Sequence, residues 1–174
     1  MIFETARLIA RRFAPSDLAA FVSMRDDPEV SRFQSWERYT EDDGRSFIAE
    51  LATAQPGEPG WFQFALEDRA SGAFIGDCGL CVDAADQRLG RIGYTIVRTH
   101  WNRGIATEAV AGLTAYAFER FNMHRITASV DPRNAASCRV LEKAGFAKEA
   151  HFRGSEWFKG AWADDAVYAR LRDG

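Results

Sequence analysis

The 174-residue chain contains only three cysteines, too few for a disulfide framework, so a reducing, cytoplasmic setting is expected. Cys78 and Cys81 form a CxxC in "GDCGLCV". Residues three apart on a strand point to opposite faces, and no second pair or neighbouring His completes a metal set. They read as two small strand residues, and no metal is expected. No apolar run approaches a membrane span. The opening "MIFETARLIARRF" carries Glu4 early and alternates, so it reads as the approach to a strand rather than as a signal peptide. Positive charge is not in excess: 22 Lys and Arg stand against 25 Asp and Glu, a net charge of −3. That argues against a nucleic-acid partner, while leaving room for a local basic patch that binds an anion. Neither GK[ST] of a phosphate loop nor GxGxxG of a dinucleotide fold occurs.

What is present is globular composition, 47% hydrophobic and 27% charged, at a length that suits one domain over residues 1–174. "RLIARRF" (7–13) alternates as a first strand. In "PSDLAAFVSMRDD", Ser16 reads as a helix cap and Leu18, Phe21, Val22 and Arg25 have helical spacing. Thr40 opens a second helix over 40–54, followed by the Pro/Gly loop 55–60. Runs 61–67, 73–82 and 91–97 alternate with short connections, which predicts an antiparallel meander. In the last of these, Ile92, Tyr94 and Ile96 share one side.

The pattern then changes. Residues 105–121 carry Ala106, Val110, Leu113, Ala117 and Phe121 on one stripe, and 125–130 alternates Ile126, Ala128 and Val130. Strand, helix and strand in this order predict a βαβ unit, hence one parallel pair in an otherwise antiparallel sheet. Helix 134–144 and strands 146–153 and 166–171 complete an α+β chain.

Two stretches could carry chemistry. "WNRGIATE" (101–108) lies between a strand and a helix, with Gly104 at the turn. The free N–H groups of a helix start and the positive end of its dipole make a cradle for phosphate, to which Arg98 and Arg103 would add charge. In "DPRNAASCRVLEKAGF" (131–146), Ser137, Val140, Leu141 and Ala144 lie on the inward stripe, so the Ser137 hydroxyl needs a partner. Asn134, one turn earlier, is also a suitable N-cap.

Together, "YTIVRTHWNRGIATEAV" and "HRITASVDPRNAASCRVLEKAGF" resemble the GNAT superfamily of acyl-CoA-dependent N-acetyltransferases, and more narrowly the branch of the ribosomal-protein enzymes RimJ and RimL. "ETARLIARRF" and "GAWADDAVYARL" resemble that branch's opening and closing strands, so the likeness covers nearly the whole chain. It implies a mostly antiparallel, seven-stranded mixed sheet with a splayed parallel pair at its centre and helices on both faces. Acetyl-CoA would lie in the splay. By resemblance, backbone groups of Ile96, Val97 and Arg98 pair with the pantetheine arm. Arg103, Gly104, Ile105, Ala106 and Thr107 hold the pyrophosphate, Asn134 contacts the pantetheine, and Ser137 lies near the sulfur. Trp101 stands where many relatives carry Gln or Arg, a change the branch tolerates. Leu141 stands where many carry a tyrosine acid, which leaves Ser137 as the hydroxyl able to assist the leaving thiol.

The implied reaction is direct attack of an amine on the thioester in a ternary complex, with a backbone N–H near Ile96–Val97 as the oxyanion donor. The acceptor is a protein N-terminus or a small-molecule amine, and a homodimer is possible within the branch. Glu108 reads as a structural, dipole-suited acid paired with Arg125, while Glu149, Asp77, His100 and His151 are candidate bases. Phe33 and Trp36 are expected near the mouth of the acceptor site. Glu41, Asp42 and Asp43 either attract a cationic acceptor or are ordinary solvated charge at a helix start. The alternative reading is a non-catalytic acyl-CoA-binding or ribosome-associated module that keeps the fold.

Overall fold

A computed structural model describes residues 1–173. The described residues form strands β1 (Phe3–Glu4), β2 (Leu8–Arg11), β3 (Gly60–Asp68), β4 (Phe74–Val82), β5 (Leu89–Ile96), β6 (Arg125–Val130), β7 (Ala147–Phe158) and β8 (Ala161–Leu171). The helices are α1 (Leu18–Arg25), α2 (Pro28–Ser31), α3 (Glu41–Thr53), α4 (Ile105–Phe121) and α5 (Ala135–Lys143). The eight strands lie in one sheet in the order β1-β2-β3-β4-β5-β6-β8-β7. Every neighbouring pair is antiparallel except β5 and β6, which are parallel as the βαβ reading requires. The eighth strand, against the seven expected, is the two-residue β1, which turns back on β2 through Thr5 and adds an edge.

The sheet separates two cores. Ile75, Cys78, Leu80 and Val82 of β4 join the larger one with Val110, Leu113 and Ala117 of α4 and Leu141 of α5. Phe74 and Asp77 face the other side, where Phe21, Met24, Val30, Phe13 and Phe47 form an aromatic core under α1 and α3. Cys78 and Cys81 are both buried free thiols, and only Cys78 reaches the larger core. No helix among the described residues is long and apolar enough to cross a membrane.

Local signals were followed closely at α3: Thr40 Oγ1 accepts from Asp43 N–H, and Asp43 accepts from Thr40 N–H. Ser16 is not the cap of α1. The chain first makes a 3-10 turn over Pro15–Asp17, and the Asp17 carboxylate takes Ala14 N–H and the Arg11 guanidinium. The last hairpin is much longer than 146–153 and 166–171. It continues through mostly exposed residues to a two-residue turn, Lys159–Gly160, with both φ angles positive (49° and 81°), the geometry that matches strand twist. Trp157 and Trp162 oppose each other near its tip, ring centroids 5.3 Å apart. Lys159 Nζ ties the tip to Ser31 C=O at 2.7 Å.

Candidate active site

β5 and β6 pair only at Leu89↔Arg125, Gly90↔Ile126 and Arg91↔Thr127. Beyond that point β5 stays with β4 and β6 stays with β8, so the two part. Val97 N–H donates to Ile75 C=O at 3.0 Å. Ladder alternation then turns the N–H and C=O of Tyr94 and Ile96 toward the gap. The Trp101 indole N–H takes up Ile96 C=O at 2.7 Å, which fixes the turn that follows the strand. Val97 and Arg98 do not face the gap as Ile96 does. At Val97 the chain leaves the strand for a 3-10 turn, Arg98–His100; the Val97 C=O accepts from His100 N–H, and the Arg98 guanidinium pairs with Asp27 at 2.8 Å.

Gly104 is the N-cap of α4 with φ 74°, and no side chain caps the helix. The first bond back is Glu108 N–H to Gly104 C=O, so the N–H groups of Ile105, Ala106 and Thr107 have no intrahelical partner. These three residues and Gly104 line a cleft of about 580 Å³. The basic side chains at this cleft are Arg32, which follows α2, and Arg133, Arg139 and Lys143 from the α5 side, not Arg98 or Arg103. Arg139 and Lys143 are four apart, so one helix face presents both, a spacing visible in the sequence. Arg103 is exposed, and its carbonyl accepts from Arg7 Nη1 at 2.8 Å.

Glu108 does not pair with Arg125. It accepts from Thr5 Oγ1 at 2.6 Å, Arg7 N–H at 2.7 Å and Arg7 Nε at 2.6 Å, stapling the start of α4 to the β1–β2 corner. Arg125 instead pairs with Glu149. Burial alone would raise the Glu108 carboxyl, but the bonds from Thr5 and Arg7 outweigh it and hold the group below its ordinary 4.5. A depressed folded pKa contributes stability above the unfolded value, lost as pH falls through the folded one. Glu108→Gln should therefore cost about 1–2 kcal/mol at pH 7, and less as the pH falls below about 4.5. Urea unfolding of both proteins across that range measures it; a pH-independent difference would detach the effect from Glu108 ionisation.

Asn134 caps α5, its Oδ1 accepting Ser137 N–H at 3.1 Å. Ser137 is half-buried rather than buried, and its Oγ lies 2.7 Å from Tyr94 Oη. A second cavity of about 400 Å³ opens on the other side of this pair. It takes walls from the hairpin tip (Glu156, Trp157, Phe158), from Phe33 and Gln34, and from the carboxylates Asp131, Asp164 and Asp165. The two cavities share five residues: Phe33, Gln34, Tyr94, Asn134 and Ser137.

Phe33 lines both cavities, whereas Trp36 lines neither. It stacks on Arg25 and donates its indole N–H to Arg25 C=O. Asp43 is engaged in the α3 cap and Glu41 pairs with Arg45, the ordinary helix-start arrangement. Of the proposed bases, Asp77 is fully buried against Arg25, Glu149 is paired with Arg125, and His151 pairs with Asp164 at 2.8 Å. Only His100 lines the larger cleft, and none of the four lines the smaller cavity. The residues that do, Tyr94 and the carboxylates, were missed. For Tyr94 a signal existed: a phenol on an inward stripe needs a partner.

The acetyltransferase (GNAT) domain family matches residues 7–147. The chain is 31% identical over 170 residues to the uncharacterized N-acetyltransferase p20 of Bacillus licheniformis, covering 97% of this chain and 94% of p20. Its fold superposes on a GNAT-family acetyltransferase of Bacillus anthracis with a TM-score of 0.91 at 26% identity, each chain covered in full. Mycobacterium smegmatis RimJ, solved in complex with CoA-disulfide, gives 0.84 at 26% identity over 95% of this chain and 82% of RimJ. A family match over most of the sequence, a whole-length relative above 30% identity and a shared fold agree with the parted strands and the glycine-capped helix: the chain belongs to the GNAT family of acetyltransferases.

Proposed function

We propose that the protein moves an acetyl group from acetyl-CoA, held in the larger cleft, to a primary amine held in the smaller cavity, by direct attack in a ternary complex. The observation that carries this is the shared wall at Tyr94, Asn134 and Ser137, the place where the two ligands would meet. The residues fit the cofactor. The unpartnered N–H groups of Ile105, Ala106 and Thr107, with Arg133, Arg139 and Lys143 opposite, suit a pyrophosphate. The strand-edge groups of Tyr94 and Ile96, and the amide N–H₂ that Asn134 keeps after capping, suit an amide-rich arm. When bound, acetyl-CoA supplies the acyl carbon activated as a thioester. Tyr94 or Ile96 N–H is the candidate oxyanion donor in place of Val97.

The acceptor reading rests on charge. Hydrogen bonds from Gly154 N–H and His151 hold Asp164 below the usual carboxylate range. Burial would raise Asp131, but bonds from Arg133 overcome it and lower that group too. Both carboxylates stay ionised at neutral pH, too weakly basic to deprotonate an ammonium well but suited to drawing one in. Water then carries off the proton, and positioning supplies much of the rate. The substrate class is a primary amine on a protein N-terminus or a small cation.

The cofactor half is tested at Gly104. Acetyl-CoA should raise the melting temperature, as any ligand specific for the native state does. A Cβ at Gly104 would meet only Arg7 Nη2, at 3.5 Å, so Gly104→Val should fold, but φ 74° strains a branched residue and its side chain would crowd the cleft. Affinity by calorimetry should fall at least about tenfold. Unchanged affinity in a folded variant would remove the pyrophosphate from this turn. The acceptor half is tested by mass spectrometry of peptide and small-amine pools incubated with acetyl-CoA and enzyme, in which an acetylated amine is the expected product.

A further inference from the structure

The stripe Ile92–Tyr94–Ile96 places a phenol between two aliphatic residues. Ile92 and Ile96 are both 5% exposed, as core residues should be. Tyr94 is half-buried, and it lines both cavities. Its oxygen is 2.7 Å from Ser137 Oγ and 3.3 Å from Ser137 C=O. An O–H···O bond is normally 2.5–3.0 Å, so the serine hydroxyl is the real partner.

The direction of that bond follows from chemistry. A phenol is a stronger donor and a weaker acceptor than an alkyl alcohol, because its lone pair is drawn into the ring. Burial pushes the Tyr94 phenol up to about 12, against a smaller lowering by the Ser137 bond, so it keeps its proton at any working pH. Tyr94 therefore donates and Ser137 Oγ accepts. A serine in a helix often donates its own hydrogen to a carbonyl three or four residues back. Among the described residues Ser137 Oγ bonds only to Tyr94. With its oxygen held by the phenol, its single hydrogen is free to point into the junction of the cavities.

We infer that Tyr94 is a positioning residue for acetyl transfer: by donating to Ser137 Oγ it turns the serine hydrogen toward the sulfur of the bound thioester. This rests on the reading that Ser137 serves that sulfur. A phenol near 12 is a poor proton source for a thiolate whose conjugate acid is near 8.5, so the effect of Tyr94 is orientation rather than proton transfer.

The test is a double-mutant cycle with Tyr94→Phe, which keeps the ring, and Ser137→Ala. Two readouts are needed in the full-length enzyme. The first is single-turnover acetyl transfer at saturating acetyl-CoA, with CoA affinity from calorimetry as the control for folding and binding. The second uses CoA itself: the pKa of its bound thiol, from the ultraviolet absorbance of the thiolate. Subtracting a titration of enzyme alone removes Cys78, Cys81 and Cys138, and the Tyr94 phenol titrates well above this window.

Tyr94→Phe should slow transfer about tenfold with CoA affinity unchanged, and raise the bound thiol pKa by about half to one unit, because a lost donor destabilises the thiolate. In the Ser137→Ala background the same substitution should change neither quantity further. Equal losses in both backgrounds would overturn the inference, since Tyr94 would then act without the serine. A loss in Ser137→Ala but none in Tyr94→Phe would also overturn it, while leaving the role of Ser137 intact. No loss in Ser137→Ala would bring down the role of Ser137 and the positioning of it together.

Discussion

Arg25→Met should lower the stability of the fold by about 3–5 kcal/mol, the usual cost of removing one partner of a buried ion pair. Methionine keeps the stem that packs against the aromatic core, so the loss isolates the charge. Arg25 Nη2 meets Asp77 Oδ2 at 3.1 Å, with the two side chains 8% and 0% exposed. The guanidinium lies over Trp36, Phe21, Phe47 and Tyr39 at 4.1–5.2 Å from the ring centroids. Asp77 also accepts from Gln63 Nε2 at 2.9 Å. Burial already raises the Asp77 carboxyl, with Arg25 and Gln63 pulling it back. Without Arg25 the folded state would favour the neutral acid more strongly. A folded pKa raised above the unfolded one leaves stability intact at low pH and removes it as pH rises through the folded value. The deficit of Arg25→Met should therefore grow from pH 5 to pH 8. At about 2–4 °C per kcal/mol for a chain of this size, the melting temperature should fall by about 6–20 °C. Pairing it with Asp77→Leu should recover most of the loss, since an apolar replacement carries no stranded charge. A loss under about 1 kcal/mol, independent of pH, would mean that the pair is not held as a buried charge pair.

That ion pair also shows what the sequence could and could not reveal. In the sequence Asp77 is a candidate base, and nothing local says that it faces Arg25, 52 residues earlier. The βαβ unit was legible because the period changes from two to 3.6 and back within one stretch, from Ile92 through Phe121 to Val130. The glycine turn was legible because Gly104 stands directly before a helical stripe, and its φ of 74° is the conformation glycine tolerates best. The smaller cavity was not. Its carboxylates come from Asp131 after β6 and from Asp164 and Asp165 on β8, strands brought side by side by the sheet. Its cover is the tip of a hairpin that projects beyond the core, where Glu156 and Trp157 follow no apolar alternation. The end of β5 was also misread: the chain leaves the strand at Val97, one residue earlier than the alternation of 91–97 implies.

Ser137→Ala should lower kcat by about 10- to 1000-fold with little change in acetyl-CoA affinity, the range for losing a group that assists departure of the thiol. The serine is at the junction of the two cavities, its N–H donates to Asn134 Oδ1, and its oxygen is held by Tyr94. Leu141, one helical repeat later at the same wall, is buried and has no proton to give. An alkyl thiol has a pKa of about 8.5, so the departing sulfur gains from a donor when the C–S bond breaks. The effect has a floor, because strand-edge N–H groups and the positioning of two bound ligands do not depend on the serine. If Ser137 has only a structural part, alanine should cost about 1 kcal/mol, for the lost Tyr94 bond, since the Asn134 cap bonds its backbone N–H and survives the change. Thermal melting of the variant, with turnover measured well below its transition, separates the two roles. A stable Ser137→Ala enzyme with unchanged kcat would sink the catalytic role and leave transfer to positioning, the strand-edge donors and water.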